Sequence, residues 1–115
     1  MQGTTTYIRG EVVLVDFVFA DETDVKLRPA LIVSSNRYHR SRQEITTAAI
    51  TSNVGRRLFG DREIVGWQEA GLRFPSLVTG VIRTVKPQMV RYRLGVLSGE
   101  EMAAVDRALR ASLGL

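Results

Sequence analysis

Residues 27–42 read LRPALIVSSNRYHRSR. Arg28 stands directly before Pro29. Four apolar residues follow, Ala30 to Val33, then two serines and a stretch holding Arg37, His39, Arg40 and Arg42. A short apolar run bounded by a proline and by serines reads as a buried β-strand. Proline has no N–H for a central ladder, which places Pro29 at the strand's entrance. NRYHRSR then reads as a loop, so the segment predicts a strand with an arginine at its mouth and a basic loop at its exit.

The flanking sequence supplies further strands. EVVLVDFVF (Glu11–Phe19) carries Val13, Val15, Phe17 and Phe19 on one face and is mostly apolar on the other, as expected of a central strand. ADETDVKL is a polar loop, and EITTAAITSN (Glu44–Asn53) is a third strand. A hairpin-like piece spans Leu58–Val65, and WQEAG (Trp67–Gly71) is a helical turn stopped by glycine. PSLVTGVIRTV (Pro75–Val85) is a strand whose Gly80 signals a bulge or a close approach, and VRYRLGVL is a last extended piece.

One helix is expected, in SGEEMAAVDRALRASLGL. Ser98 and Glu101 have the spacing of a capping box, and Met102, Val105, Leu109 and Leu113 recur at helical spacing as a buried stripe. Glu100 and Glu101 suit the positive end of its dipole, Arg107 and Arg110 the negative end, and Gly114 ends it.

With 115 residues, the chain is sized for a single domain, residues 1–115, that buries about two thirds of its unfolded surface. It has no cysteine and one histidine, which excludes disulfides, thiolate metal sites and multi-histidine zinc sites. No signal peptide or membrane-length apolar run is evident, so a cytoplasmic location is expected. The net charge is +4, and 14 of the 16 basic residues are arginine. Between Asn36 and Arg57, five arginines (Arg37, Arg40, Arg42, Arg56, Arg57) face one acid, Glu44. Guanidinium grips phosphate bidentately, so such a zone suits an anionic partner; genomic base composition is the plain alternative.

No P-loop, dinucleotide fingerprint, paired histidines or serine nucleophile elbow is present. Instead GEVVLVDF, RPALIVSS followed by Tyr38, AAITSN followed by arginine, GL..PS, IRTV and LGVLSGEEMAAVDRAL occur in order. Together, from Arg9 to Leu115, they resemble the MazF/PemK family of toxins from type II toxin–antitoxin pairs. The resemblance implies a mainly β, SH3-like small barrel with short helices, including a C-terminal one, the architecture shared with CcdB. It implies a homodimer, no cofactor and no metal. The implied activity is metal-independent endoribonuclease cleavage of single-stranded RNA at short sequences, opposed by a cognate antitoxin. A non-catalytic relative that binds RNA or antitoxin only, and a CcdB-like gyrase poison, are the alternative functions.

The chemistry of metal-free RNA cleavage fits that picture. The substrate's 2'-hydroxyl attacks, a proton must be taken and another given to the leaving 5'-oxygen, and a doubly charged phosphorane must be stabilised. Arg28 matches the family's arginine before proline, and Thr51 and Ser52 match its threonine–serine pair at a strand end. From the residues alone, Arg28 serves either a phosphate or a salt bridge to the acidic loop at Asp21–Asp24, and Thr51 and Ser52 either the substrate or a turn. Arg37, Arg40, Arg42, Arg56, Arg57 and Arg83 are the candidate RNA contacts. Trp67 and Tyr38 could stack bases, although Trp67 better suits the core. Many members carry an acid just before the segment matching IRTV, often within DQIRT; here that position is Gly80. The proton carrier is then sought in His39, whose ordinary pKa lies near neutrality, or in Glu22 and Asp24.

Overall fold

β1 (Glu11–Val18) buries Val12 on one face and Val13 and Val15 on the other, because an apolar layer packs on each face of the sheet. The computed structural model describes residues 6–18 and 25–115. The other strands are β2 (Val25–Ile32), β3 (Ile45–Thr51), β4 (Arg62–Ile64), β5 (Ser76–Val85) and β6 (Val90–Val96). They form one antiparallel sheet in the order β4-β5-β3-β2-β1-β6. Bulges in the β1–β6 and β3–β5 pairs add local twist and curl it. The mainly β architecture with a C-terminal helix is as the sequence predicts.

Each face of the sheet carries its own apolar cluster. On one, Val12, Leu31, Ala48, Ile50, Ile64 and Val78 meet Met102 and Val105 of α2 (Gly99–Leu113). Trp67 packs against this cluster, half-buried. On the other face Val13, Val15, Ala30, Ile32, Ile45 and Val85 are covered by Tyr7, Met89 and Val90. Full burial of one such side chain contributes about 1.5–3 kcal/mol. Arg9 ties the layers together: its Nε donates to the Val33 carbonyl at 2.8 Å and its guanidinium pairs with Asp106 of α2.

Several expectations are corrected. NRYHRSR is not a loop but a helix, α1 (Asn36–Arg42). Ser35 caps it by accepting from the Tyr38 N–H, and Gln43, at φ 56°, closes it by donating to the His39 carbonyl. The four residues before Pro29 also belong to β2, so the proline lies inside the strand rather than at its entrance. The hairpin-like piece reduces to the three residues of β4. The capping box is only half made: Ser98 accepts from the Glu101 N–H, but the Glu101 carboxylate accepts from Val65 and Gly66 N–H, both at 2.8 Å. A Cβ at Gly66 would sit 2.9 Å from that carboxylate. Leu113 leaves the buried stripe and is 60 % exposed, since Ser112 is the side chain that the last turn sets against the sheet. WQEAG does form a turn, ended by Gly71 at φ +83° and packed so closely on β6 that a Cβ there would lie 2.1 Å from the Leu94 carbonyl oxygen. The acidic loop and Phe19 lie outside the described residues.

Candidate active site

Two hydrogen bonds fix which way each residue of β2 turns its backbone. Val33 N–H donates to the Thr46 carbonyl at 3.0 Å, and Gly10 N–H donates to the Ile32 carbonyl at 2.8 Å. In antiparallel strands a residue's N–H and C=O face one neighbour and the next residue's face the other. Leu31 and Val33 therefore face β3, while Ala30 and Ile32 face β1. Pro29 is next in the series facing β3, and it has no N–H to offer. The β2–β3 ladder ends accordingly at Ala30↔Ala49, whereas β2 stays paired with β1 down to Val25.

Arg28 sits just past this break. It pairs with Val15 of β1, which puts its side chain on the face of the second cluster, where it is exposed. Continued by two residues, the β2–β3 register sets Arg28 opposite Thr51, on the same face. Arg28 Nη1 donates to the Leu27 carbonyl at 3.3 Å. Thr51 Oγ1 accepts from the Asn53 N–H at 3.1 Å, so its hydroxyl hydrogen remains available to an outside acceptor. Ser52 is exposed in the turn that follows, its carbonyl accepting from Val54 N–H at 2.9 Å. This turn leads into the loop carrying Arg56 and Arg57, both exposed.

Across β5, Leu77 pairs with both Thr51 and Glu63 of β4. Glu63 therefore stands in the same cross-sheet row as Thr51, and it pairs with Arg57 at 3.6 Å. Sequence reading missed Glu63, because only the β4–β5–β3 register brings it into line. Arg83 lies on the same face, opposite Thr47, whose buried hydroxyl donates to the Arg83 carbonyl at 3.2 Å.

The basic zone seen in sequence is split in space. Arg37, Arg40 and Arg42 ride on α1, beyond the opposite end of β2. Arg42 pairs with Glu44 at 3.2 Å and lies 5.8 Å from the centre of the Tyr38 ring. His39 is also at that end. Its Nδ1 is 3.0 Å from the Tyr7 carbonyl, which can only accept, so Nδ1 donates there, and Nε2 shares a hydrogen bond with Ser34 Oγ at 2.5 Å. Ser34 Oγ also accepts from the Thr46 N–H. Thr46 and Thr51 are five residues apart on β3, about 17 Å at ~3.4 Å per residue, so His39 is not brought to Arg28 within one chain. Tyr38 is half-buried, and hydrogen bonding by the Thr46 side chain, then by Thr84 and the charge of Arg42, lowers its phenol below the ordinary tyrosine value.

Gly80 lies within the β3–β5 irregularity, where Thr79 Oγ1 donates to the Ala49 carbonyl at 2.8 Å. A Cβ at Gly80 would be 3.1 Å from Ser112 Oγ, so a side chain there is directed at the end of α2 and not at Arg28. Glu22 and Asp24 lie outside the described residues.

The profile of a family described as PemK-like, MazF-like toxin of type II toxin–antitoxin system matches residues 8–113. No curated protein matches the chain significantly. Among solved structures, a mycobacterial endoribonuclease in complex with its cognate antitoxin superposes with a TM-score of 0.78 at 21% identity, covering 95% of this chain and 96% of that one. The Mycobacterium tuberculosis toxin MazF-mt6 gives 0.73 at 23% identity, over 91% and 97% of the two chains. MazF from Deinococcus radiodurans gives 0.75 at 20% identity, over 97% and 100%. At these identities the superpositions establish a shared fold.

Proposed function

Because the chain belongs to the PemK-like, MazF-like toxin family of type II toxin–antitoxin systems, we propose that Arg28 and Thr51 cut single-stranded RNA without a metal ion, at short sequences, to arrest growth. The observation that carries this is the gap at the end of the β2–β3 ladder. By the continued register Arg28 and Thr51 would flank it on one face of the sheet, and Pro29 has no N–H with which to close it. A permanently charged guanidinium and a hydroxyl donor, fixed on two strands, suit a phosphate placed between them.

In the reaction, the 2'-oxygen bonds to the adjacent phosphorus and loses its proton. The 5'-oxygen then leaves and takes up a proton, giving a 2',3'-cyclic phosphate and a 5'-hydroxyl. Arg28 stabilises the charge that builds on the phosphorane oxygens, and one such donor contributes about 100- to 1000-fold. Thr51 and Ser52 hold the phosphate or orient the 2'-hydroxyl. Arg56, Arg57 and Arg83 contact the RNA backbone on this face. Arg37, Arg40 and Arg42 reach only RNA that runs to the far end of the sheet, or RNA on a second protomer.

The working unit is a homodimer in the cytoplasm, held in check by a cognate antitoxin. Ser112 meets Gly60 and Gly80 at one place, and beside it Phe59 (83 % exposed) and Leu113 present apolar surface. Such a patch suits burial against a second copy. An acidic antitoxin tail would compete with RNA for the arginines, and both would bind less tightly as salt rises.

Mapping the ends of a long RNA after incubation with the purified protein and a chelator tests the reading. Cuts at a short recurring sequence, with cyclic-phosphate and 5'-hydroxyl ends, are expected. Cutting abolished by chelator and restored by magnesium would overturn it, as would topoisomerase inhibition without RNA cleavage. Light scattering at micromolar protein should give twice the chain mass.

A further inference from the structure

We propose that Lys26 holds the RNA phosphate next to the scissile one, which extends the RNA-cleaving reading of the Arg28 site and rests on it. Lys26 and Arg28 are two residues apart on β2, so their side chains leave the same face, about 7 Å apart at ~3.4 Å per residue. That separation is comparable to the distance between successive phosphates along a single strand of RNA. Leu27 between them pairs with Asp16 and belongs to the other face.

The break at Pro29 affects both cations alike. From Val25 to Pro29, β2 is paired only with β1, and no strand of the described residues adjoins its other edge. The register that sets Arg28 opposite Thr51 would set Lys26 opposite Asn53. There the partner chain segment is already turning away, with Asn53 N–H held by Thr51 Oγ1 and the Asn53 carbonyl accepting from Arg56 N–H at 3.3 Å. The gap therefore widens from Arg28 towards Lys26, and a strand of RNA that places one phosphate between Arg28 and Thr51 places a neighbouring one at Lys26.

The residue types divide the work. Arginine offers a planar fork that can follow an oxyanion as it develops, whereas lysine is a compact point charge on a flexible stem that tolerates varied phosphate geometry. A flanking phosphate changes no charge during the reaction, so its contact adds equally to ground-state and transition-state binding. Loss of Lys26 should thus raise KM and leave kcat nearly unchanged, the converse of the loss expected for Arg28.

The test measures binding of a short RNA with 2'-O-methyl groups, which cannot be cut, to the full-length protein over a series of salt concentrations. Kinetics are measured on the unmodified RNA and on a dinucleotide with a single phosphate. Lys26→Gln should flatten the plot of log affinity against log salt by about 0.7, the contribution of one phosphate contact to a single strand. KM on the longer RNA should rise about three- to tenfold, cleavage of the dinucleotide should be unchanged, and Lys26→Arg should keep the slope. An unchanged slope in Lys26→Gln overturns the proposal and leaves the Arg28 site intact. A fall in dinucleotide cleavage also overturns it, by placing Lys26 on the scissile phosphate. If the unaltered protein neither binds nor cuts RNA, the reading of the whole site fails and Lys26 fails with it.

Discussion

The β2–β3 register, continued two residues past its last pair, Ala30↔Ala49, sets Arg28 across from Thr51, and Pro29, which has no N–H, stands where the pairing stops. The residue that breaks the ladder is thus adjacent to the residue that faces the gap. Arg28→Ala should lower kcat at least about 100-fold while the melting temperature barely moves, since the side chain is exposed and supports no buried cluster. Arg28→Lys should recover little of the loss, because an ammonium cannot reproduce a two-point grip on phosphate. A variant that melts early, yet cuts normally in its folded fraction, would make Arg28 a structural residue.

Pro29→Ala restores an N–H at the one position of β2 where the ladder to β3 needs it. The new amide can bond Ile50, drawing Arg28 and Thr51 to ordinary strand spacing, about 5 Å between Cα atoms. Activity should fall about tenfold while stability changes by no more than about 1 kcal/mol. Hydrogen exchange reads the mechanism directly: the new amide should be protected. An exchanging amide in a fully active variant would show that proline does not hold the gap.

How much of this the sequence reveals depends on the range of the interaction. The two-sided burial of β1 and the start of α2 are legible, because apolar alternation and a serine cap act within a few residues. α1 is not, because it contributes no buried residue of its own and depends on Ser35, Gln43 and the tethering of His39 at either end. Pro29 lies inside its strand and not at the entrance that the sequence suggests, because a proline forbids pairing on one side only, and sequence does not show which neighbour each residue faces. Arg28 and Thr51 were both legible as candidates. That they share a row, and that Glu63 joins it, follows from registers between distant segments.

His39 bonds at both ring nitrogens, to the Tyr7 carbonyl and to Ser34, and so fastens α1 to the segment before β1. His39→Ala leaves both partners short of a hydrogen bond and should cost about 1–3 kcal/mol in denaturant unfolding. The cleavage rate per folded molecule, and its pH profile, should be unchanged. A profile that loses its height in the variant would instead give His39 a part in proton transfer, across a dimer interface.

Tyr38 offers a test of the same corner of the fold by titration. Hydrogen bonding by Thr46 favours its phenolate, so the folded-state pKa lies below the unfolded value of about 10. The stability this contributes is present in full above the unfolded pKa and disappears as pH falls through the folded one, so it is absent at neutrality. The difference in absorbance titration between the unaltered protein and Tyr38→Phe should show Tyr38 ionising early. Thr46→Val should move that step upward, and no movement would assign the shift to another neighbour.

Gly80→Asp puts back the acid that many family members carry before the segment matching IRTV. If that acid worked on the scissile bond, restoring it would raise the rate by the factor of about 100 or more that a general acid or base supplies. The structure argues otherwise. Gly80 does not require a left-handed backbone, so aspartate fits the strand, but its Cβ would lie 3.1 Å from Ser112 Oγ at the end of α2. The new carboxylate would accept from the Ser112 hydroxyl and stay on the α2 side of the sheet, whereas Arg28 leaves the opposite face. Stability should change by no more than about 1 kcal/mol, and kcat should not rise. Gly80→Asp/Ser112→Ala, which removes the hydroxyl that would hold the carboxylate, should be equally without gain. A large increase in kcat in either variant would mean that position 80 reaches the RNA and can carry a proton there.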